Sequence, residues 1–367
     1  KAINNGMKGI DITDHGVMFG IKEFSDYCAN INKKRKKNGE EPFKPIFGCE
    51  MYVARRRKQD KVKDMHDNSG YHLIVLAKNY QGYKNLIKLV SRSWIDGFYY
   101  RPRTDRVDLE KYHEGLIVCS ACLAGEIPRN ILKGDMNAAR ETVEWYKKVF
   151  GDDFYLELQR HEVKDPTLVA NRDAFPLQQK VNRVLLQFAK EYNIKYVCTN
   201  DCHFEDKETA EAHDHLLCLA TQESLDSPTR MRYSKQEWFK TREEMNDVFA
   251  DVPEALSNTL EILNKVEMYS IDNGPIMPVF PIPESFGTEE EWRKKFTEQQ
   301  LYEEFTTDEN GENPLSPEDG QAVIKRLGGY KEIYRIKFEA DYLSKLAHDG
   351  AKKLYGDPIP EDVQKAI

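Results

Sequence analysis

Gly9-Ile10-Asp11-Ile12-Thr13-Asp14-His15-Gly16 is the stretch from which the fold can be read. Gly9–Ile12 reads as a short strand, and the polar Thr13-Asp14-His15-Gly16 follows it at once. A second run repeats the plan, with Tyr196-Val197-Cys198 leading into Thr199-Asn200-Asp201-Cys202-His203. Carboxylates and imidazoles gathered at strand ends are how a barrel or an open α/β sheet builds a divalent-metal site. One Asp-His pair carries little weight. Two pairs separated by what read as several βα units point to a metal-dependent phosphoester site.

Between these runs, β-type segments recur at Pro45–Val53, His72–Ala77, Leu116–Ser120 and Phe154–Leu158, with the last strand from Lys195 to Thr199. Helical spacing fills most of the gaps, at Ile21–Asn38, Tyr80–Trp94, Met136–Phe150 and Leu177–Tyr192. Strand and helix in alternation imply a parallel sheet. Polar residues at the strand ends favour an irregular βα barrel over a doubly wound sheet. Lys1–Asn5 reads as a helix end closed by Gly6, so a further βα unit is expected upstream.

The predicted organisation is a barrel over 1–267, a Pro-rich connector with an acidic insertion over 268–335, and a helical region over 336–367. Thr306–Gly320 is acidic and apolar-poor, and reads as a loop. Hydrophobic residues at 40% and charged ones at 32% suit a chain with a real core. No apolar run approaches the roughly 18 residues of a membrane span, and no signal peptide is evident. The seven cysteines are odd in number, which suggests reduced thiols and a cytoplasmic protein without membrane contact. A net charge of −8 argues against general nucleic-acid binding by this stretch alone. Three basic runs, Lys33–Lys37, Arg55–Lys58 and Arg101-Pro102-Arg103, read either as solvated surface or as phosphate-backbone contacts.

Alternation in the second strand puts Ile46, Gly48, Glu50 and Tyr52 on one face and Phe47, Cys49, Met51 and Val53 on the other. Glu50 is therefore an inward carboxylate that must be paired, protonated or metal-bound. His72 opens its strand and reads either as a core histidine or as a ligand, and Cys122 lies just past another, either a plain buried thiol or a thiolate at a barrel mouth. Cys119-Ser120-Ala121-Cys122 has no second Cys-x-x-Cys and is not a zinc knuckle. Glu157 is a second inward-carboxylate candidate. His213 and His215, two apart on a helix, face different ways and read as packing or surface residues. His66, His113, His161 and His348 have no ligand-like company.

This ordering resembles the PHP (polymerase and histidinol phosphatase) domain, and more closely the copy at the start of bacterial replicative DNA polymerases. The matching stretches include GMKGIDITDHGVMFG (6–20), FGCEMYV (47–53), HLIVLAKNYQGYKNL (72–86), GFYYRPR (97–103), LIVCSACLAGEI (116–127), FYLELQ (154–159), TNDCHF (199–204), Met231-Arg232-Tyr233 and ADYLSKLAHDGAKKLYGDP (340–358). The resemblance implies an irregular (β/α)7 barrel whose first strand precedes Lys1, followed by a linker and the start of a polymerase palm. It implies metal ligands at His15, Glu50, His72, Cys122, Asp201 and His203, with Asp14 orienting the neighbouring imidazole. Asp201, His203 and His15 would carry the chemistry, a 3′–5′ exonuclease or phosphoesterase reaction with zinc first and manganese or magnesium as alternatives. The family's opening His-x-His lies upstream of Lys1, so weak or no hydrolysis is expected of this stretch alone. No Asp-x-Asp occurs, which leaves DNA synthesis to the rest of such a polymerase. DNA, a proofreading subunit and a sliding clamp would be partners through that larger protein. The alternatives are a non-catalytic docking module and a stand-alone PHP phosphatase.

Overall fold

Seven strands make one curled sheet in the order β1-β2-β3-β5-β6-β7, with the two-residue β4 paired to β2. They are β1 (Gly9–Ile12), β2 (Lys44–Ala54), β3 (Gly70–Ala77), β4 (Arg103–Thr104), β5 (Leu116–Cys119), β6 (Phe154–Gln159) and β7 (Tyr196–Thr199). The architecture is that of an irregular α/β barrel. The structure, a computed structural model, describes residues 1–367 except 164, 166–169, 276–277, 279 and 308–314. The chain divides into two units, Lys1–Asn273 and Gly274–Ile367.

The sheet departs from the expected parallel order at one strand. β1 and β2, β5 and β6, and β6 and β7 pair parallel, but β3 is antiparallel to both β2 and β5. The reason lies in the connection. A parallel return needs a crossover of a dozen or more residues, usually an α-helix. Between β2 and β3 the described chain forms only the 3-10 turn Lys63–Met65.

The alternation read in β2 holds. Cys49, Met51 and Val53 pack outward with Leu86, Leu89, Val118, Tyr146, Leu185 and Phe188, between the sheet and its helices. Those helices include α1 (Ile21–Lys37), α2 (Tyr80–Ile95), α3 (Arg106–Lys111), α4 (Glu126–Lys133), α5 (Met136–Phe150) and α6 (Phe175–Glu191). Ile46 faces inward with Leu76, Ile117, Cys119, Tyr155 and Val197. Helices α7 (Ala210–Thr221), α8 (Arg242–Val248) and α9 (Pro253–Lys265) complete the unit. Ile262 and Leu263 of α9, with Val266, join the inward cluster. Lys44 Nζ binds the carbonyls of Leu263 and Val266, tying the end of α9 to the start of β2. The lumen is thus filled with apolar side chains where the parallel strands begin, which leaves its polar residues at the opposite rim.

Two of the basic runs turn out to be largely structural. Arg56 pairs with Asp67, Arg57 with Asp105, and buried Lys58 with Asp108. Arg103 is fully buried and donates to the carbonyls of Gly97, Asp67, Lys58 and Asp60. Lys34–Lys37 end α1, where cations complement the helix dipole. All seven cysteines are free. No helix among the described residues is long and apolar enough to cross a membrane.

In the second unit, α10 (Glu289–Lys295), α11 (Glu298–Thr306), α12 (Pro317–Arg326) and α13 (Tyr330–Tyr355) precede the short α14 (Glu361–Gln364). The expected boundary at 335/336 falls inside α13. Leu301, Ile324, Ile333 and Tyr334 close one core across α11, α12 and α13, so much of 268–335 is helical. Asp308–Asn313 of the expected acidic loop lie outside the described residues, and Pro317–Gly320 open α12.

Candidate metal centre

The inverted β3 decides which residues meet. In the β2–β3 register Tyr52 opposes His72 and Glu50 opposes Ile74, so a histidine at the start of β3 stands beside the C-terminal half of β2. β1 delivers His15 to the same place. Its pairing with β2 continues past Ile12 to a bridge between His15 and Glu50, closed by Glu50 N–H to Asp14 O at 3.0 Å and Gly16 N–H to Glu50 O at 2.9 Å.

The donor atoms of His15, Glu50 and His72 all lie within 4.8 Å of one another. His72 Nδ1 is 2.6 Å from Glu50 Oε1, and His15 Nε2 is 3.4 Å from Glu50 Oε2. Cys122 Sγ sits 3.6 Å from His72 Nδ1. His203 Nε2 is 3.5 Å from His15 Nε2 and 2.9 Å from Tyr233 Oη. Asp201 Oδ1 is 3.8 Å from His203 Nδ1, which also meets the Asp201 carbonyl at 2.7 Å. The six expected ligands therefore gather at one rim, although only three form the tight group.

Burial alone would raise the Glu50 carboxyl. The hydrogen bond from His72 and the fields of His15, His72 and His203 bring it below the usual carboxylate range. Burial lowers His15, and Glu50 partly offsets this. Asp201 goes the other way, pushed up to about 6 by burial and by the charge of Glu50. Its backbone is left-handed at φ 48°, a conformation non-glycine residues adopt uncommonly. Burial also carries the Cys122 thiol well up, followed by Asp201 and Glu50. A buried carboxylate among imidazoles, with a thiol beside them, is the nitrogen, oxygen and sulfur donor chemistry that zinc and its neighbours prefer. The donor set fits a divalent metal.

Two expected contributors behave differently. The Asp14 carboxylate lies beside Gly20, 3.2 Å from where a Cβ on that glycine would stand, with no recorded hydrogen bond to an imidazole. The residue acts through its backbone carbonyl, which accepts Glu50 N–H and Cys49 Sγ–H. Glu157 is buried and holds neighbouring loops instead. It accepts Ala121 N–H at 3.1 Å, Gln159 Nε2 at 3.0 Å and the Thr199 hydroxyl. Burial pushes its carboxyl up to about 7.

Other groups were missed from sequence. Tyr233, in Met231-Arg232-Tyr233, carries no sequence signal that marks it as a site residue, yet it meets His203 Nε2. His161, read as isolated, is buried and bonded to Gln178 and to the Asn200 carbonyl, 3.4 Å from Glu237. Lys240 binds Asn200 Oδ1 at 3.0 Å, and burial pulls it down to about 8. This network braces the loop bearing Asp201 and His203. His213 packs near His203 and Tyr233, as its packing role implies. A cleft of about 770 Å³ opens next to Cys122, lined by Leu123, Arg172, Arg230, Arg232 and Ser234. Arg172 and Arg230 are already committed to Asp173 and Asp214.

Residues 1–161 match the PHP domain family. The chain is 42% identical over 299 residues to the DNA polymerase III subunit alpha of Borreliella burgdorferi, covering 81% of this chain and 24% of that protein. It is 34% identical to the Treponema pallidum subunit over 82% of the chain and 24% of the relative. For Thermus aquaticus the identity is 37%, over 78% and 22%. The chain thus spans about a quarter of the length of the curated relatives it matches.

Proposed function

The chain carries a PHP domain homologous to that of DNA polymerase III alpha subunits, and on that premise we propose that it is the PHP region of a replicative DNA polymerase, whose rim centre cleaves phosphodiesters in a 3′–5′ direction. The single observation that carries this reading is the convergence of His15, Glu50 and His72 within 4.8 Å. His15, Glu50, His72, Cys122, Asp201 and His203 would hold divalent metal, with zinc favoured by the imidazole and thiol donors. When bound, such a metal lowers the pKa of water and neutralises phosphoryl charge.

The chain's own groups supply the rest. As the water oxygen bonds to phosphorus, the bond from phosphorus to the 3′ oxygen breaks; the water's proton leaves to solvent, and solvent returns one to the departing oxygen. Asp201 and His203 would act as catalytic ligands, held together by the 2.7 Å contact of His203 Nδ1 with the Asp201 carbonyl, and so fix where the attack takes place. The products are a nucleoside 5′-monophosphate and a strand one residue shorter. Tyr233 fixes the imidazole of His203 through a 2.9 Å contact. DNA synthesis, and contact with a proofreading subunit and a sliding clamp, belong in this proposal to the full-length protein. There, residues 336–367 would lead towards the palm.

The test is degradation of a 5′-labelled oligonucleotide by the full-length protein, with zinc or manganese added after chelation. Metal-dependent shortening from the 3′ end, abolished by Asp201→Asn, is expected. Turnover that ignores both the metal and that substitution would overturn the reading and leave the region a docking module.

A further inference from the structure

The lip beside His15 carries aromatic side chains that the core does not use. Trp94 and Phe98 stack nearly parallel, 17° between planes and 5.3 Å between centroids, yet they are 44% and 43% exposed. Tyr100 is 59% exposed on a left-handed backbone of φ 61°. A bulky residue in that region is strained, and the conformation persists only when the surroundings enforce it. Here the enforcement is visible. Buried Arg103 clamps the carbonyls of Gly97, Asp67, Lys58 and Asp60, and Tyr99 N–H closes on Arg101 O at 3.1 Å.

The lip is also tied directly to the metal-ligand loop. Trp94 Nε1 donates to Gly16 O at 2.8 Å, one residue from His15. Pro102 presses so close to Gly16 that a Cβ there would come within 2.7 Å of Pro102 Cγ. Tyr52 stacks towards His15 at 6.0 Å, and the guanidinium of Arg101 lies 5.8 Å from the Tyr52 ring. Arg101 is exposed and pairs with no carboxylate among the described residues, unlike Arg56, Arg57 and Lys58 nearby.

Exposed flat rings beside the Arg101 guanidinium, leading into a phosphodiester centre, match the chemistry of an unpaired nucleic-acid strand. Stacking on π-faces is sequence-tolerant, and a guanidinium meets the backbone phosphate. We infer that Trp94, Phe98 and Tyr100 form a stacking platform for the unpaired 3′ segment of a DNA strand, with Arg101 on its phosphate. The occupant is a single strand because a duplex hides the π-faces of its bases within the stack. The inference rests on the reading of the rim as a phosphodiester site and adds the form of its substrate.

The experiment is an anisotropy titration of the 367-residue chain with fluorescent dT12 in EDTA, so that binding is read apart from hydrolysis. Phe98→Ala and Tyr100→Gly are each expected to weaken binding about tenfold, the lower part of the range for one stacked base. Arg101→Ala is expected to reduce the salt slope by about 0.7, one phosphate's worth on a single strand. Tyr100→Gly also removes the backbone strain, so its thermal midpoint should be unchanged or higher, which separates lost binding from lost fold. Undetectable dT12 binding, or binding that ignores all three substitutions, overturns the platform. So does a dimer of the chain dissolved by Phe98→Ala, since a second copy would then cover these rings. Platform binding by the chain, with no metal-dependent cleavage by the full-length protein, sinks the phosphodiesterase reading while leaving the platform. Cleavage without platform binding does the reverse.

Discussion

Tyr52 and His72 face each other across the antiparallel β2–β3 pair, and this pairing brings a histidine from the beginning of a strand to the rim where parallel strands end. Had β3 run parallel to its neighbours, His72 would have started from the plugged end of the lumen. Its 2.6 Å contact with Glu50 would then be impossible.

That contact gives the first prediction. His72→Asn removes a donor from the trio and leaves Glu50 without its hydrogen bond. Zinc affinity should fall by more than the roughly 10–100-fold seen when only an orienting partner is lost. Competition with a chromogenic chelator measures it. An unchanged affinity would remove His72 from the ligand set.

Tyr233 Oη meets His203 at Nε2, the same nitrogen that faces His15. Tyr233→Phe should lower cleavage by about tenfold, at the gentle end of effects for a group that orients a ligand, with the thermal midpoint nearly unchanged. Steady-state kinetics beside a melting curve check this. A collapse of stability instead would make the tyrosine a packing residue.

Gly16 is held at φ 67° with Pro102 and Tyr52 against it. Gly16→Ala should destabilise the fold by about 1–3 kcal/mol through strain and overlap. Urea unfolding measures the loss. Preserved stability would mean that the lip moves aside freely.

Glu157 links stability to pH. Its ordinary value of 4.5 rises to about 7 in the fold, so the native state holds a proton that the unfolded chain releases first. Stability from this group is complete below pH 4.5 and is lost as pH rises towards 7. The loss amounts to about 3 kcal/mol. The stability gap between the protein and Glu157→Gln should therefore narrow between pH 5 and pH 8 in paired urea titrations. A constant gap would show that Glu157 is ionised throughout.

Much of this was legible. Alternation put Glu50 inside and Cys49, Met51 and Val53 outside, because a pleat leaves only two faces. His15, Asp201 and His203 were legible because they follow apolar runs, whereas the full ligand set rested on the family resemblance. The direction of β3 was not, since His72-Leu73-Ile74-Val75-Leu76 has the same periodicity read either way. Nor was the work of Arg57, Lys58 and Arg103, whose partners Asp105, Asp108 and Asp67 arrive from other parts of the chain. The helices within 268–335 were masked by acidity. Their buried apolar residues are spaced among charged ones, Leu301 and Ile324 among them, and they close against Ile333 and Tyr334 of the following helix.

Ile262, Leu263 and Val266 stopper the lumen at the end away from His15. On the exonuclease reading proposed above, a strand drawn to the centre would not thread onward through the barrel. A cleaved monophosphate would then have to back out past the incoming terminus, so digestion would advance by single withdrawals, with departure of product competing with the next arrival for the same doorway.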